Sequence, residues 1–243
     1  MALDVISVQN MRESDRLTIE GGISSLELMQ RAAQGIFDSV DKHHGWSGKT
    51  VIVIGSGNNG GDGSALSVIL KNKGYDVTIQ TLSDHFSKDN SYYLGKARDI
   101  GIEVITSDVI SEADIIVDCI LGTGFRGEPT GGPRTLIDEI NKHKAANGTY
   151  VVSADINSGL NGDTGEYIVA VESDLTVVIG CHKKGIMEAR DTSIVNQIDL
   201  ALIGINAAYK EDYLLSDEEW NIKGFPADNT ITKIEVEGVT YYR

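Results

Sequence analysis

The sequence predicts an α/β fold: a three-layer, doubly wound, Rossmann-like and mostly parallel sheet with helices on both faces. Three observations carry this reading. From Lys49 onward, short β-branched runs alternate with segments of helical period. The first run, Val51-Ile52-Val53-Ile54, leads into a loop with five glycines between positions 55 and 63. Two later apolar runs end in a carboxylate beside a glycine-bearing turn, at Asp118 and at Asp155. Right-handed crossovers then wind the sheet in both directions from a central switch.

The elements follow in order. Residues 5–20 read as a short helix with Ser7 as N-cap. Ser24 and Glu27 form a capping box opening a second helix, whose apolar face is Leu26, Met29, Ala33, Ile36, Phe37 and Val40. Strands are expected at about 50–55, 76–82, 102–105, 113–119, 149–155, 174–180 and 198–203, with helices at about 63–73, 88–100 and 134–146. After Asn206 the alternation stops. Residues 1–206 read as one domain. Residues 207–243 read as an extension, with a short helix near Trp220 and a hairpin from the period-two run Thr230–Val236 and the Gly238 turn.

The chain carries 36 acidic against 21 basic residues, a formal net charge of −15. A nucleic-acid binder is usually basic, so no nucleic-acid partner is expected. Any anionic ligand must be held by backbone amides, a few basic side chains or a cation. No stretch of about 18 apolar residues predicts a membrane span. Met1-Ala2-Leu3-Asp4 shows no secretory pattern. Cys119 and Cys181 make neither a metal spacing nor a disulfide framework, so a reducing, cytoplasmic setting is expected.

Gly55-Ser56-Gly57-Asn58-Asn59-Gly60 fits the dinucleotide fingerprint, with glycines that let backbone N–H groups reach a phosphate at a helix N-terminus. The plain alternative is a tight turn without ligand. Asn58 and Asn59 add amide donors and acceptors, and Asp62 puts a carboxylate in a loop otherwise suited to anions. The second strand ends in Gln80-Thr81-Leu82, without the acidic residue a dinucleotide dehydrogenase places there. That counts against hydride transfer. In a doubly wound sheet the loops after the first, fourth and fifth of these strands share one crevice. Gly55–Gly63, Asp118 with Gly122–Glu128, and Asp155 with Ser158 should therefore converge. Each Asp alone reads as well as a turn cap. Asn59, Asp118 and Ser158 offer the hard oxygen donors that alkali or alkaline-earth cations need. Lys183 and Lys184 face either a phosphate or solvent. His182 reads as a loop histidine, and Met29 with Ala32-Ala33 as core.

Together these motifs resemble the YjeF N-terminal domain family, the NAD(P)H-hydrate (NAD(P)HX) epimerases. The markers are Met11-Arg12-Glu13 with Asp15, Leu28-Met29 with Ala32-Ala33, Gly57-Asn58-Asn59-Gly60-Gly61-Asp62-Gly63, Asp118 with Gly122-Thr123-Gly124, and Asp155-Ile156-Asn157-Ser158-Gly159. They span about residues 7–206. The resemblance implies epimerisation of hydrated NADH and NADPH at nicotinamide C6, so that a separate NAD(P)HX dehydratase can repair both forms. It implies substrate contacts from Asn58, Asn59, Gly60, Gly61, Asp62, Gly122, Thr123, Gly124, Phe125, Arg126, Gly127, Glu128 and Asp155. It also implies potassium (K+) held by Asn59, Asp118 and Ser158. Lys184 stands where the family usually has Pro. Asp155 is the expected acid–base group, and Asp155→Asn is expected to spare the fold. A homodimer is expected from the resemblance and from the apolar stripe Leu26–Val40, which needs a cover. The competing readings are a non-catalytic dimerising or nucleotide-binding module, as in RNA-decay scaffolds, and an oxidoreductase using intact NAD(P). The first predicts degraded loops and a basic surface; the second predicts the acidic residue that is missing near Thr81.

Overall fold

The computed structural model describes residues 2–190 and 192–243. In chain order the strands are β1 (Leu3–Ile6), β2 (Lys49–Ile54), β3 (Asp76–Thr81), β4 (Glu103–Thr106), β5 (Ile115–Cys119), β6 (Tyr150–Ala154), β7 (Ser173–Ile179), β8 (His182–Lys183), β9 (Val195–Ala201), β10 (Asp212–Leu214), β11 (Lys233–Val236) and β12 (Val239–Tyr242). The helices are α1 (Val8–Glu20), α2 (Ser25–His43), α3 (Asn58–Asn72), α4 (Lys88–Asp99), α5 (Gly131–Asn147), α6 (Lys184–Ala189) and α7 (Asp217–Ile222).

Seven strands form one parallel sheet in the order β4-β3-β2-β5-β6-β7-β9. The chain runs outward from β2 to β4, then returns to β5 and runs the other way, so the switch lies between β2 and β5. Successive residues of the central strands point to opposite faces. Ile52, Ile54, Val117 and Cys119 pack with α2, α3 and α4, whereas Val51, Val53 and Ile116 pack with α5. Each such fully buried aliphatic contributes about 1.5–3 kcal/mol. Both faces are covered, which is why these strands read as unbroken apolar runs.

Register sets up the crevice. Val53 lies opposite Asp118, and Asp118 opposite Ser153. The carboxyl ends of β2, β5 and β6 therefore finish level with one another.

Three features depart from the sequence reading. Residues 3–6, expected in part as helix, form β1, and the helix starts only after Ser7, whose hydroxyl accepts from Asn10 N at 3.3 Å. β1 lies between β8 and β10 in a second sheet ordered β11-β12-β10-β1-β8. Its partners lie far along the chain, so no local pattern marks it. Residues 207–243 supply three strands of that sheet, and Glu237-Gly238 close the hairpin with both φ angles positive, 53° and 79°. Second, α3 begins at Asn58 and not near 63, so most of the glycine-rich stretch is helix. Third, the α2 stripe is covered within the chain: Met29, Ala33, Ile36, Phe37 and Val40 belong to the main core. That stripe calls for no second copy.

Candidate active site

A cleft of about 580 Å³ opens at the carboxyl edge of the sheet, within the usual range for small-molecule sites. Its floor is the β2–α3 junction and the segments after β5 and β6, and α1 and α2 wall one side. Gly57 caps α3 without a side-chain bond, leaving first-turn N–H groups and the positive helix end at the cleft. Asn90 of α4 holds this junction from behind. Its Nδ2 donates to Gly55 O and Gly57 O at 3.0 and 3.1 Å, and its Oδ1 accepts from Ser64 Oγ at 2.9 Å. Ser87 Oγ donates to Asn58 Oδ1 at 2.8 Å. Neither Ser87 nor Asn90 was marked by the sequence, because polar residues at a helix start read simply as a cap.

Asp118 is fully buried. Its carboxylate accepts from Ser158 Oγ at 2.5 Å, Ser158 N at 2.9 Å, Ser153 Oγ at 3.0 Å and Ile120 N at 3.2 Å. Burial pushes this carboxyl up, and those bonds oppose the shift. Ser158 Oγ also accepts from Leu121 N at 2.8 Å. Asn59 Nδ2 donates to Leu121 O at 3.0 Å, which brings Asn59, Asp118 and Ser158 together around one loop. Asn59 Oδ1 is buried and has no hydrogen-bond partner. Among the described residues no group of three or more His, Cys, Asp or Glu could hold a metal ion.

Asp155 ends β6 in the left-handed region, φ 65°, a conformation Asp tolerates better than most. Its Oδ1 accepts from Ile179 N at 3.0 Å and from Lys183 Nζ. Lys183 is wholly buried in β8, and its Nζ also donates to Ile179 O at 2.6 Å. The lysine is therefore not the solvated residue that was one alternative left by sequence, and its ammonium is held by Asp155 and Ile179 O. Lys184 pairs with Glu211 and Asp212 at 2.6 and 3.1 Å. His182 is no loop residue: it is buried in β8, burial and the Lys183 charge lower its pKa to about 4, and its Nδ1 has no partner.

Two further carboxyls line the cleft. Asp15 of α1 is pushed up to about 6 by burial, with Lys183 opposing and Asp155 adding to the shift. Asp62 of α3 is raised well above the carboxylate range by burial, and the charges of Asp155 and Asp15 add to it.

Of the expected substrate residues, Asn58, Asn59, Asp62, Gly122, Thr123, Gly124, Phe125 and Asp155 line the cleft. Gly60 and Gly61 lie behind it. A Cβ on Gly60 would stand 2.2 Å from Gly55 O, and one on Gly61 2.5 Å from Met29 Cε, so both serve close packing of α3. Arg126, Gly127 and Glu128 lie exposed beyond the rim, with Arg126 paired to Asp163 at 2.9 Å and Glu128 to Arg134 at 3.2 Å.

Comparison with known proteins adds to this picture. The family model described as YjeF-related protein N-terminus matches residues 25–185. An NAD(P)H-hydrate epimerase of Limosilactobacillus fermentum is 34% identical over 206 residues, 83% of this chain and 97% of that protein. One of Levilactobacillus brevis is 37% identical over 76% of this chain and 86% of that protein. A bifunctional NAD(P)H-hydrate repair enzyme of Archaeoglobus fulgidus is 33% identical over 86% of this chain, which spans 43% of that protein. The crystal structure of yeast ynu0 superposes with a TM-score of 0.69 at 19% identity, covering 99% of this chain and 100% of that one. That likeness concerns the fold alone.

Proposed function

The chain belongs to the family of YjeF-related protein N-termini, and from that premise we propose that its cleft interconverts the R and S forms of hydrated NADH and NADPH. The observation that carries this reading is the coincidence of two devices in one cleft. An uncapped helix start and the backbone of Gly122–Phe125 suit the substrate's phosphates. Carboxyls gathered at the same place, those of Asp15 and Asp62 beside the Asp155–Lys183 pair, suit proton transfer at the ring. Incubating R-enriched NADHX and NADPHX with the protein and separating the epimers by chromatography tests it. The reading predicts equilibration of both, since no side chain near Thr81 selects a 2′-phosphate or a free 2′-hydroxyl. A sample that equilibrates only at the spontaneous rate refutes it.

Potassium belongs to the same proposal. The donor set is all oxygen, and the buried, unpartnered Asn59 Oδ1 fits a cation ligand. Asn59, Asp118 and Ser158 would hold the ion, which when bound supplies positive charge between the β2, β5 and β6 loops. The protein should melt higher in potassium than in an equal concentration of tetramethylammonium, and Asn59→Ala should abolish the difference. Equal melting temperatures in the two salts would remove potassium from the account.

A separate dehydratase is the functional partner, in keeping with bifunctional relatives from Archaeoglobus fulgidus and Coxiella burnetii. No helix among the described residues is long and apolar enough to cross a membrane. Free, buried Cys119 and Cys181 fit a reducing, cytoplasmic setting. A homodimer is part of this reading. Its support is no longer α2 but Leu17, Ile19 and Leu202, which remain 43%, 42% and 76% exposed.

A further inference from the structure

The cleft carries five charged side chains: Arg12 and Asp15 on α1, Asp62 on α3, Asp155 after β6 and Lys183 on β8. α2 and the β5–α5 segment contribute only uncharged residues to it. Arg12 stands at the mouth, its Nη2 3.3 Å from the place a Cβ on Gly124 would take. Lys183 is committed to Asp155 and to Ile179 O. Three carboxyls thus share one buried ammonium, and Asp155 already holds it. Neither Asp15 nor Asp62 receives a hydrogen bond from any described residue, so each faces the cleft without a donor of its own. Asp62 lies in the field of Asp155 and Asp15, and crowded carboxyls of this kind do not all ionise at neutral pH.

We propose that Asp15 and Asp62 are the acid–base pair of this cleft, and that Asp155 is a fixed charge that positions Lys183. This rests on the epimerase reading above. In the hydrated ring, C6 bears a hydroxyl and is bonded to N1, and inversion needs one of those bonds to open. The ionised member of the pair takes the hydroxyl proton. The C6–N1 bond breaks, its electron pair stays on N1, and a C=O bond forms at C6. The protonated member gives its proton to N1, leaving an aldehyde and an amine. Rotation about the C5–C6 bond and the same steps in reverse close the ring on the other face. One carboxyl gains a proton as the other loses one, so the pair ends each passage with the proton count it began with. The step needs one acid and one base together, which a pair sharing a proton supplies. The raised pKa of each group, caused first by burial, agrees with this. Asp155, engaged through Oδ1 by two donors, is less free to exchange a proton.

Two measurements on the full chain test the pair. The first is titration of the aspartate carboxyls by carbon-13 NMR, assigned with Asp15→Asn and Asp62→Asn. The expected result is that the Asp15 signal titrates near 6, and that Asp15→Asn moves the Asp62 signal down. An Asp15 signal titrating in the ordinary range near 4, with an Asp62 signal unmoved by Asp15→Asn, overturns the pairing whatever the activity. The second is kcat/KM for both epimers against pH, with melting temperature measured on the same samples. Asp15→Asn should stay folded, lose about a hundredfold or more in rate, and lose the acidic limb of the wild-type profile. A folded Asp15→Asn protein with the wild-type rate and profile overturns the proposal. A wild-type protein no faster than the spontaneous reaction refutes the epimerase reading instead, while the titration still decides whether the two carboxyls share a proton.

Discussion

At the scale of single residues, the strand-end carboxylates differ in what the sequence discloses. Asp118 and Ser158 were legible as a converging pair because one ends a strand and the other lies in the turn after the next, at an edge that a doubly wound topology must bring together. The partnership of Asp155 with Lys183 was not, since a lysine pair in a loop reads as facing either a phosphate or solvent. That ion pair changes what Asp155→Asn should do. The substitution leaves a wholly buried ammonium without its main counter-ion, and breaking a buried pair costs about 3–5 kcal/mol. Asp155→Asn should therefore lower the melting temperature by roughly 10 °C, contrary to the expectation from sequence that the fold is spared. Asp155→Asn with Lys183→Met should recover most of that loss, as read by calorimetry. An unchanged melting temperature in the single variant would mean that Lys183 is held by other groups. Asp15 runs the other way. Its folded pKa, about 6, lies above the ordinary 3.8, so the folded state binds the proton more tightly than the unfolded one. Stability therefore falls as pH rises from about 4 to about 6, and the whole loss, about 2–3 kcal/mol, persists above that. Asp15→Asn should raise the melting temperature at pH 8 and leave it nearly unchanged at pH 4.

At the scale of elements, the seven parallel strands and their helices were readable because each is a local pattern: a β-branched run, a period, a cap. Boundaries slipped where tertiary structure decides them. α3 starts inside the glycine-rich stretch because Gly60 and Gly61 let it press against the Gly55 backbone and Met29, contacts no periodicity shows. β1 and β8 are four and two residues long and exist only through pairing with each other and with β10. The extension thereby reaches the site. β10 lies against β1, which leads into α1 with Asp15, and β1 pairs Ile6 with Lys183 of β8. Glu211, just before β10, accepts from Ser7 N and Ser7 Oγ at 3.1 and 2.8 Å and pairs with Lys184 at 2.6 Å. These bonds draw its pKa down to about 2, against the opposing effect of burial. Its contribution is present above pH about 4.5 and fades as pH falls toward 2. Removing residues 207–243 should leave the main sheet folded but loosen β1 and α1. Hydrogen exchange at Val5 and Ile6 should quicken by at least tenfold, while exchange at Ile52 and Val117 changes little. Uniformly slow exchange in the shortened chain would show that β1 does not depend on β10.

At the scale of the whole molecule, the proposed reaction asks a chain of formal charge −15 to take an anionic dinucleotide. Long-range attraction cannot account for that, so binding falls to helix-end amides, glycine backbone and, in our account, potassium. Charge is also why the proposed dimer would have to be held by apolar contact. Leu202→Glu places a charge on the most exposed of the large apolar side chains near the cleft mouth and should turn a dimeric mass into a monomeric one in light scattering. A wild-type chain already monomeric at micromolar concentration would contradict the dimer. The central claim is the epimerisation itself, and a coupled progress curve tests it most directly. NADHX containing both epimers is given to a dehydratase that acts on one of them, and NADH is followed by absorbance. Without this protein the curve slows once that epimer is spent, and only spontaneous inversion carries it further. With this protein added in catalytic amount, the account predicts rapid conversion of the whole sample to NADH. A curve that slows at the same level, with the same residual slope, would contradict it.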